Sequence, residues 1–195
     1  MQDFEYGNYL SEEIVVPDEK LGKYNLPFII FPFCFLFIYI INFGTTSFIL
    51  GIDDFFTLQN LFLVFSVGFL SHEILHFIPW KALTNFSVQE FRIGMRWHSF
   101  TPVIGCQRPM KLNAFRFGLF FPFLVLGVGP MFFAFYWQNT WLLFCGNIFM
   151  AWASGDIVTL LLLWKVHKNA FVEMHRAKMG AIVFNPREPM DALVS

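Results

Sequence analysis

The chain is short of charge. Only 14% of its 195 residues are Asp, Glu, Lys or Arg, against about 25% in an ordinary soluble domain. That deficit points to lipid rather than water as the main solvent. The formal net charge of −1 lacks the basic excess that a nucleic-acid partner would require. Cysteine is scarce as well. Cys34, Cys106 and Cys145 are odd in number and far apart, which excludes a disulfide framework and a zinc-ribbon spacing. A basic start followed by a short apolar stretch is also missing. The first 26 residues are polar and acidic, with Asp3, Glu5, Glu12, Glu13, Asp18 and Glu19. No cleaved signal peptide is expected, so the first apolar segment should persist as a membrane span.

Apolar residues are abundant: 56% of the chain is hydrophobic, 21% aromatic, and Phe alone occurs 29 times. Four segments have the roughly 20 apolar residues that a helix needs to cross a bilayer, at 27–50, 58–80, 117–137 and 141–164. Short turns at Gly51 to Asp54 and at Gln138 to Thr140 make each pair an antiparallel hairpin. The expected fold is an all-α polytopic membrane protein of about four transmembrane helices, 27–166, between polar tails at 1–26 and 167–195. All 13 Lys and Arg fall before the first span, between the second and third, or after the fourth. An even number of spans puts them on one side. The positive-inside rule makes that side the cytoplasm, with both termini there.

The long loop, 81–116, carries a second pattern. Phe91, Ile93, Met95 and Trp97 alternate with Arg92, Gly94, Arg96 and His98. Such period-two alternation predicts a strand, with Thr101 to Cys106 as its return. The result is a short hairpin-like element, cytoplasmic or interfacial. It could lie at the interface with its arginines toward headgroups. Alternatively it could offer an edge to an extended substrate, which would make Ile93, Met95 and His98 substrate contacts.

The second span holds His72-Glu73-Ile74-Leu75-His76. On a helix, residues four apart share a face, so both imidazoles can reach one metal ion. Glu73 is then placed to accept a proton from water bound there. Position strengthens the motif. An ionisable side chain at the bilayer centre costs about 2.5–3.5 kcal/mol on insertion scales. The first and third spans have none, the second has only His72, Glu73 and His76, and the fourth has only Asp156 before Lys165. His72 and Asp156 each lie about two turns, roughly 12 Å, inside the cytoplasmic end of their helix. Two histidines and a carboxylate leave a fourth position for water, the arrangement of a catalytic zinc. A packing role for each residue, or a helix break at Ser154-Gly155 with Asp156 as its cap, is the alternative. Asn147 is more than two turns from Asp156 and suits helix–helix bonding or a contact to a substrate carbonyl. Pro122, Gly127, Gly129 and Pro130 predict a kinked, closely packed third span.

With these residues in view, the chain resembles intramembrane metalloproteases of the site-2 protease class. There an H-E-x-x-H on one helix is completed by an Asp on a later one. More closely it resembles small bacterial membrane proteins described as putative zincin peptidases. That resemblance lies in His72 to His76, in Cys106-Gln107-Arg108-Pro109-Met110, and in Ala153-Ser154-Gly155-Asp156 followed by Ile157 to Val166. It implies Zn²⁺ and peptide hydrolysis, with a membrane protein or peptide as substrate and a bacterial inner membrane as the expected location. Ser154-Gly155-Asp156 is a variant of the larger class's Asp motif, and there is no PDZ-like domain. Substrate selection therefore falls to the loop strand or to an adaptor protein. The competing expectations are a divalent-metal transporter or storage protein and a catalytically silent scaffold. A di-iron enzyme fits less well, since five His are too few for its histidine boxes.

Overall fold

The computed structural model describes residues 4–96, 101–175 and 177–187. It is mostly helical. Helices α1 (Leu21–Ile30) and α2 (Phe33–Phe43) follow a 3-10 turn and together form an apolar rod over Asp18–Phe43. Gly44, at φ +85°, ends it, in a left-handed conformation that favours glycine. Helix α3 (Thr45–Phe55) follows. The single span expected over 27–50 is thus divided, and the turn expected at Gly51 to Asp54 lies inside α3. Gly51 packs directly against the start of a later helix: a Cβ there would sit 2.2 Å from Thr140 Cβ.

Helix α4 (Leu58–Leu83) opens with Thr57 Oγ1 accepting the Asn60 N–H at 3.3 Å. Its buried stripe is Val64, Gly68, His72, His76 and Trp80, one residue every four. Phe62, Val67, Leu70, Ile74 and Ile78 on its other sides are exposed. A helix in lipid is apolar all round, so the small and polar residues mark its packed face. Helix α5 (Leu112–Pro122), a π-helical stretch (Phe123–Val128) and α6 (Gly129–Trp137) form one rod over Leu112–Trp137. A π-helical segment interrupts this rod, with Pro122 just before it and Gly127 inside it. Helix α7 (Thr140–Trp152) is capped by Asn139, whose side chain accepts from Leu142 N–H at 3.0 Å. It meets α8 (Ser154–Leu162) at a 42° bend. Among the described residues, three helices are therefore long and apolar enough to cross a membrane, and the bent α7–α8 pair would make a fourth.

The expected hairpin is present as β2 (Phe91–Arg96) and β3 (Thr101–Cys106), antiparallel, with Ile93 opposite Ile104. His98 lies outside the described residues. The tails depart from expectation. Strands β1 (Tyr9–Val15), β4 (Met110–Lys111), β5 (Phe171–Met174) and β6 (Gly180–Pro186) form a four-stranded antiparallel sheet in the order β1-β6-β5-β4. The fold is thus helical with two small sheets. The partners of β1 lie at the far end of the chain, out of reach of any local pattern. Val172 and Val183 are fully buried beneath this sheet with Leu112, Phe115, Leu163 and Trp80. Each such aliphatic side chain contributes roughly 1.5–3 kcal/mol by leaving water.

Candidate metal centre

Helix α4 supplies three of the four chemically important side chains. His72 and His76 are buried and four residues apart, with their Nε2 atoms 3.2 Å from each other. The His76 ring is held on two sides. Its Nδ1 lies 2.9 Å from the Gly118 carbonyl oxygen on α5, so that nitrogen carries the proton and donates. Trp80 stacks on the ring at 5.3 Å, and Phe115 stacks on Trp80 at 5.8 Å. Gly118 makes this possible, since a Cβ there would fall 2.0 Å from Trp80 Nε1. With Nδ1–H committed, His76 Nε2 presents a lone pair inward.

Asp156 comes from α8. The 42° bend at Ala153 starts a new helix there. Asp156 lies in its first turn, where the helix dipole favours a carboxylate. The N-cap residue of α8, Ala153, has no side chain able to cap it. The Asp156 carboxylate faces α4, with Oδ2 at 3.1 Å from His72 Nε2 and 3.4 Å from His76 Nε2.

These three atoms form a triangle with edges of 3.1, 3.2 and 3.4 Å. Ligands at zinc's usual distances of about 2.0–2.1 Å in tetrahedral directions stand about 3.3 Å apart. The donor set therefore fits a small tetrahedral cation. The chemistry agrees. A lone pair on His76 Nε2 facing a carboxylate oxygen in a poorly hydrated site is repulsive unless a cation or proton lies between them. Glu73 stands beside this triangle, with its ligand atom and those of His72 and His76 all within 4.8 Å of one another. Its Oε2 accepts the backbone N–H of Ile104 on β3 at 2.7 Å.

Sequence matching agrees with this geometry. The family model described as putative zincin peptidase matches residues 63–171, more than half of the 195. The chain belongs to this family. No curated protein and no solved structure matches it. The zincin family implies zinc and points to a metallopeptidase. The match takes in α4, the β2–β3 hairpin and α8, the elements that carry His72, Glu73, His76, Ile104 and Asp156.

A cavity of about 440 Å³ opens onto this zincin-family site. His72, Glu73, His76 and Asp156 line it together with Leu21, Asn25 and Ile29 of α1, Trp152 of α7, and Met174 and Met179 near the C-terminal end. Asn25 Nδ2 lies 3.6 Å from Met179 Sδ, which joins the two terminal segments at the wall. Sequence reasoning missed this wall, because the tails were expected to be polar and cytoplasmic. The runs Phe171-Val172 and Ala181 to Phe184, rich in β-branched and aromatic residues, were the available signal for strands. Gly118 and Trp80 were also missed, and no local pattern marks them.

Of the remaining expected contacts, Ile93 and Asn147 are not among the residues that line the cavity. Ile93 is 81% exposed on β2. Met95 is described through its backbone alone. Asn147 is buried on α7 and its Nδ2 donates to the Leu143 carbonyl at 2.8 Å, a bond within its own helix. The Cys106 to Met110 segment closes the base of the hairpin. Gln107 N–H donates to the Glu90 carbonyl at 2.9 Å, and Arg108 donates to the Glu90 carboxylate at 2.6 Å. The Arg108 hydrogen bond holds the Glu90 carboxyl below the usual range, and burial pushes the Cys106 thiol up. Cys106 is therefore a packing thiol.

Proposed function

We propose that this protein is a zinc-dependent intramembrane peptidase. It cleaves a membrane-embedded or membrane-proximal peptide bond of a protein or peptide substrate. His72, His76 and Asp156 would hold the zinc, and Glu73 is the base. The observation that carries this reading is the 3.1–3.4 Å triangle of Nε2 and Oδ2 atoms, contributed by helices far apart in sequence. Bound zinc supplies Lewis acidity toward water and a peptide carbonyl.

The chain's own groups do the rest. Glu73 takes a proton from the attacking water and delivers it to the departing amine nitrogen. The Gly118 carbonyl and the Trp80 ring fix the His76 ring, and the first turn of α8 fixes Asp156. The surrounding apolar helices limit water at the site. Because a helix hides its carbonyls in hydrogen bonds, the substrate must be extended at the scissile bond. The two-stranded β2–β3 sheet has an outer edge along Ile93 and Met95 that could pair with such a segment. The basic residues put the β2–β3 loop and both termini on the cytoplasmic side. An inner-membrane location follows from that reading.

Transport or storage of a divalent ion is the nearest competitor. Transport requires polar groups along a path through the bundle. Beyond His72, the packed stripe of α4 toward its N-terminus is Gly68 and Val64. The test is metal analysis of the purified protein with a cleavage assay. Wild type should carry one zinc per chain, Asp156→Ala should lose it, and Glu73→Gln should keep it while losing cleavage. Equal zinc in wild type and Asp156→Ala would remove Asp156 from the ligand set.

A further inference from the structure

We infer that the backbone N–H of Ile104 is the positioning group for Glu73: strand β3 tethers the base and keeps it out of the ligand triangle. The consequence for turnover rests on the peptidase reading above, whereas the tether itself does not. Three observations lead to it.

The first is the bond, 2.7 Å from Ile104 N to Glu73 Oε2, a charge-assisted contact of the stronger kind. The second is the alternative open to Glu73. Its carboxylate is close enough to His72 and His76 for all three ligand atoms to lie within 4.8 Å. An untethered carboxylate beside a divalent cation would move in as a further ligand and cease to be a base. A carboxylate held by one oxygen keeps the other free for water.

The third is the strand's register. Alternate residues of an antiparallel strand direct their N–H groups to opposite edges. Since the Ile104 N–H goes to α4, it belongs to the edge of β3 facing away from β2. Residue 102 shares that edge and is a proline, with no N–H. The Ile104 amide is therefore the donor at the middle of that edge, and Glu73 occupies it. The hairpin thereby connects directly to the base, so whatever displaces β3 also displaces Glu73.

The experiment uses the full chain in detergent micelles, loaded with zinc. Its first reading, amide hydrogen exchange, needs no substrate. The Ile104 amide should exchange about tenfold or more faster in Glu73→Ala than in wild type, the factor expected for a bond to a charged acceptor. Glu73→Gln keeps an oxygen acceptor and should retain most of the protection. Equal exchange in wild type and Glu73→Ala overturns the tether.

The second reading is turnover of unstructured casein as the peptide probe. Ile104→Pro removes the N–H at an edge position where proline is already accommodated two residues earlier. It should lower kcat by about tenfold or more while KM and zinc content stay near wild type. Ile104→Val, which keeps the amide, should restore most of kcat. A wild-type kcat in Ile104→Pro, or a loss carried by KM alone, overturns the positioning role. If zinc-loaded wild type leaves casein intact, the exchange comparison decides the tether alone.

Discussion

The two ends of the helical bundle are built on different principles. At the end that holds the candidate metal centre, polar atoms set the geometry. The Gly118 carbonyl orients His76, the Ile104 amide holds Glu73, and α8 begins at Asp156. At the other end, aromatic packing prevails. Phe55 contacts Phe56, Phe144 and Trp141, Tyr39 contacts Phe43 and Phe135, and Thr140 bridges to the Tyr39 hydroxyl and the Ser47 carbonyl. Fixed polar partners are thus concentrated at the site end, beside the Trp80–Phe115 stack and the core beneath the sheet. A polar site in an apolar medium needs fixed partners for each polar atom, and aromatic rings cannot supply them. Damage at one end should therefore separate cleanly from damage at the other.

The largest separation should come from the base. Glu73→Gln is expected to lower peptide cleavage by about 10²–10⁴-fold with zinc content and thermal midpoint unchanged, read by elemental analysis and a melt in detergent. A parallel loss of zinc would place Glu73 among the ligands and blur the comparison.

Phe55→Ala probes the opposite end. Phe55 is fully buried, and its loss should cost about 3–5 kcal/mol in detergent unfolding. The protein that remains folded should hold zinc at wild-type stoichiometry. Zinc loss in that folded fraction would show the two ends to be coupled.

Gly118→Ala sharpens the boundary between the ends. The added methyl must displace the Trp80 indole, which it would otherwise approach to 2.0 Å. The expected cost is about 1–3 kcal/mol, with weakened zinc retention against a chelator because the His76 ring loses its stacking partner. Unchanged zinc retention would leave the Trp80 stack without a role in orienting His76.

The smallest effect concerns the hairpin base. The folded-state pKa of Glu90 is depressed by Arg108. Its contribution is therefore present above the unfolded carboxylate value and disappears as pH falls through the folded one. Glu90→Gln should cost about 0.5 kcal/mol near pH 7 and nothing once pH is low enough to protonate Glu90. Melts of the two proteins across that range would show the curves converging. A constant difference would assign the effect to packing.

Much of this was legible locally. His72, Glu73 and His76 are readable because helical period alone puts them on one face, and the alternation from Phe91 onward is readable because strand period does the same. Asp156 was reachable by counting depth from the basic end of its helix. The break at Gly44 was not anticipated, since one glycine in an apolar run is compatible with a continuous helix. The terminal sheet escaped because β1 and β6 are separated by most of the chain, and short strands carry little signal without their partners.

By itself the sequence determined the apolar, mostly helical character of the chain, the hairpin, and the presence of a His-Glu-His group that could hold a metal ion. Those are properties of composition and local periodicity. The tertiary structure alone decided that a bend at Ala153 turns the Asp156 carboxylate toward two imidazoles, that a glycine carbonyl on α5 fixes one of those rings, and that a strand amide holds the glutamate. Each of these depends on backbone groups of distant segments meeting in space, and backbone groups are the same in every residue, so no sequence pattern announces them.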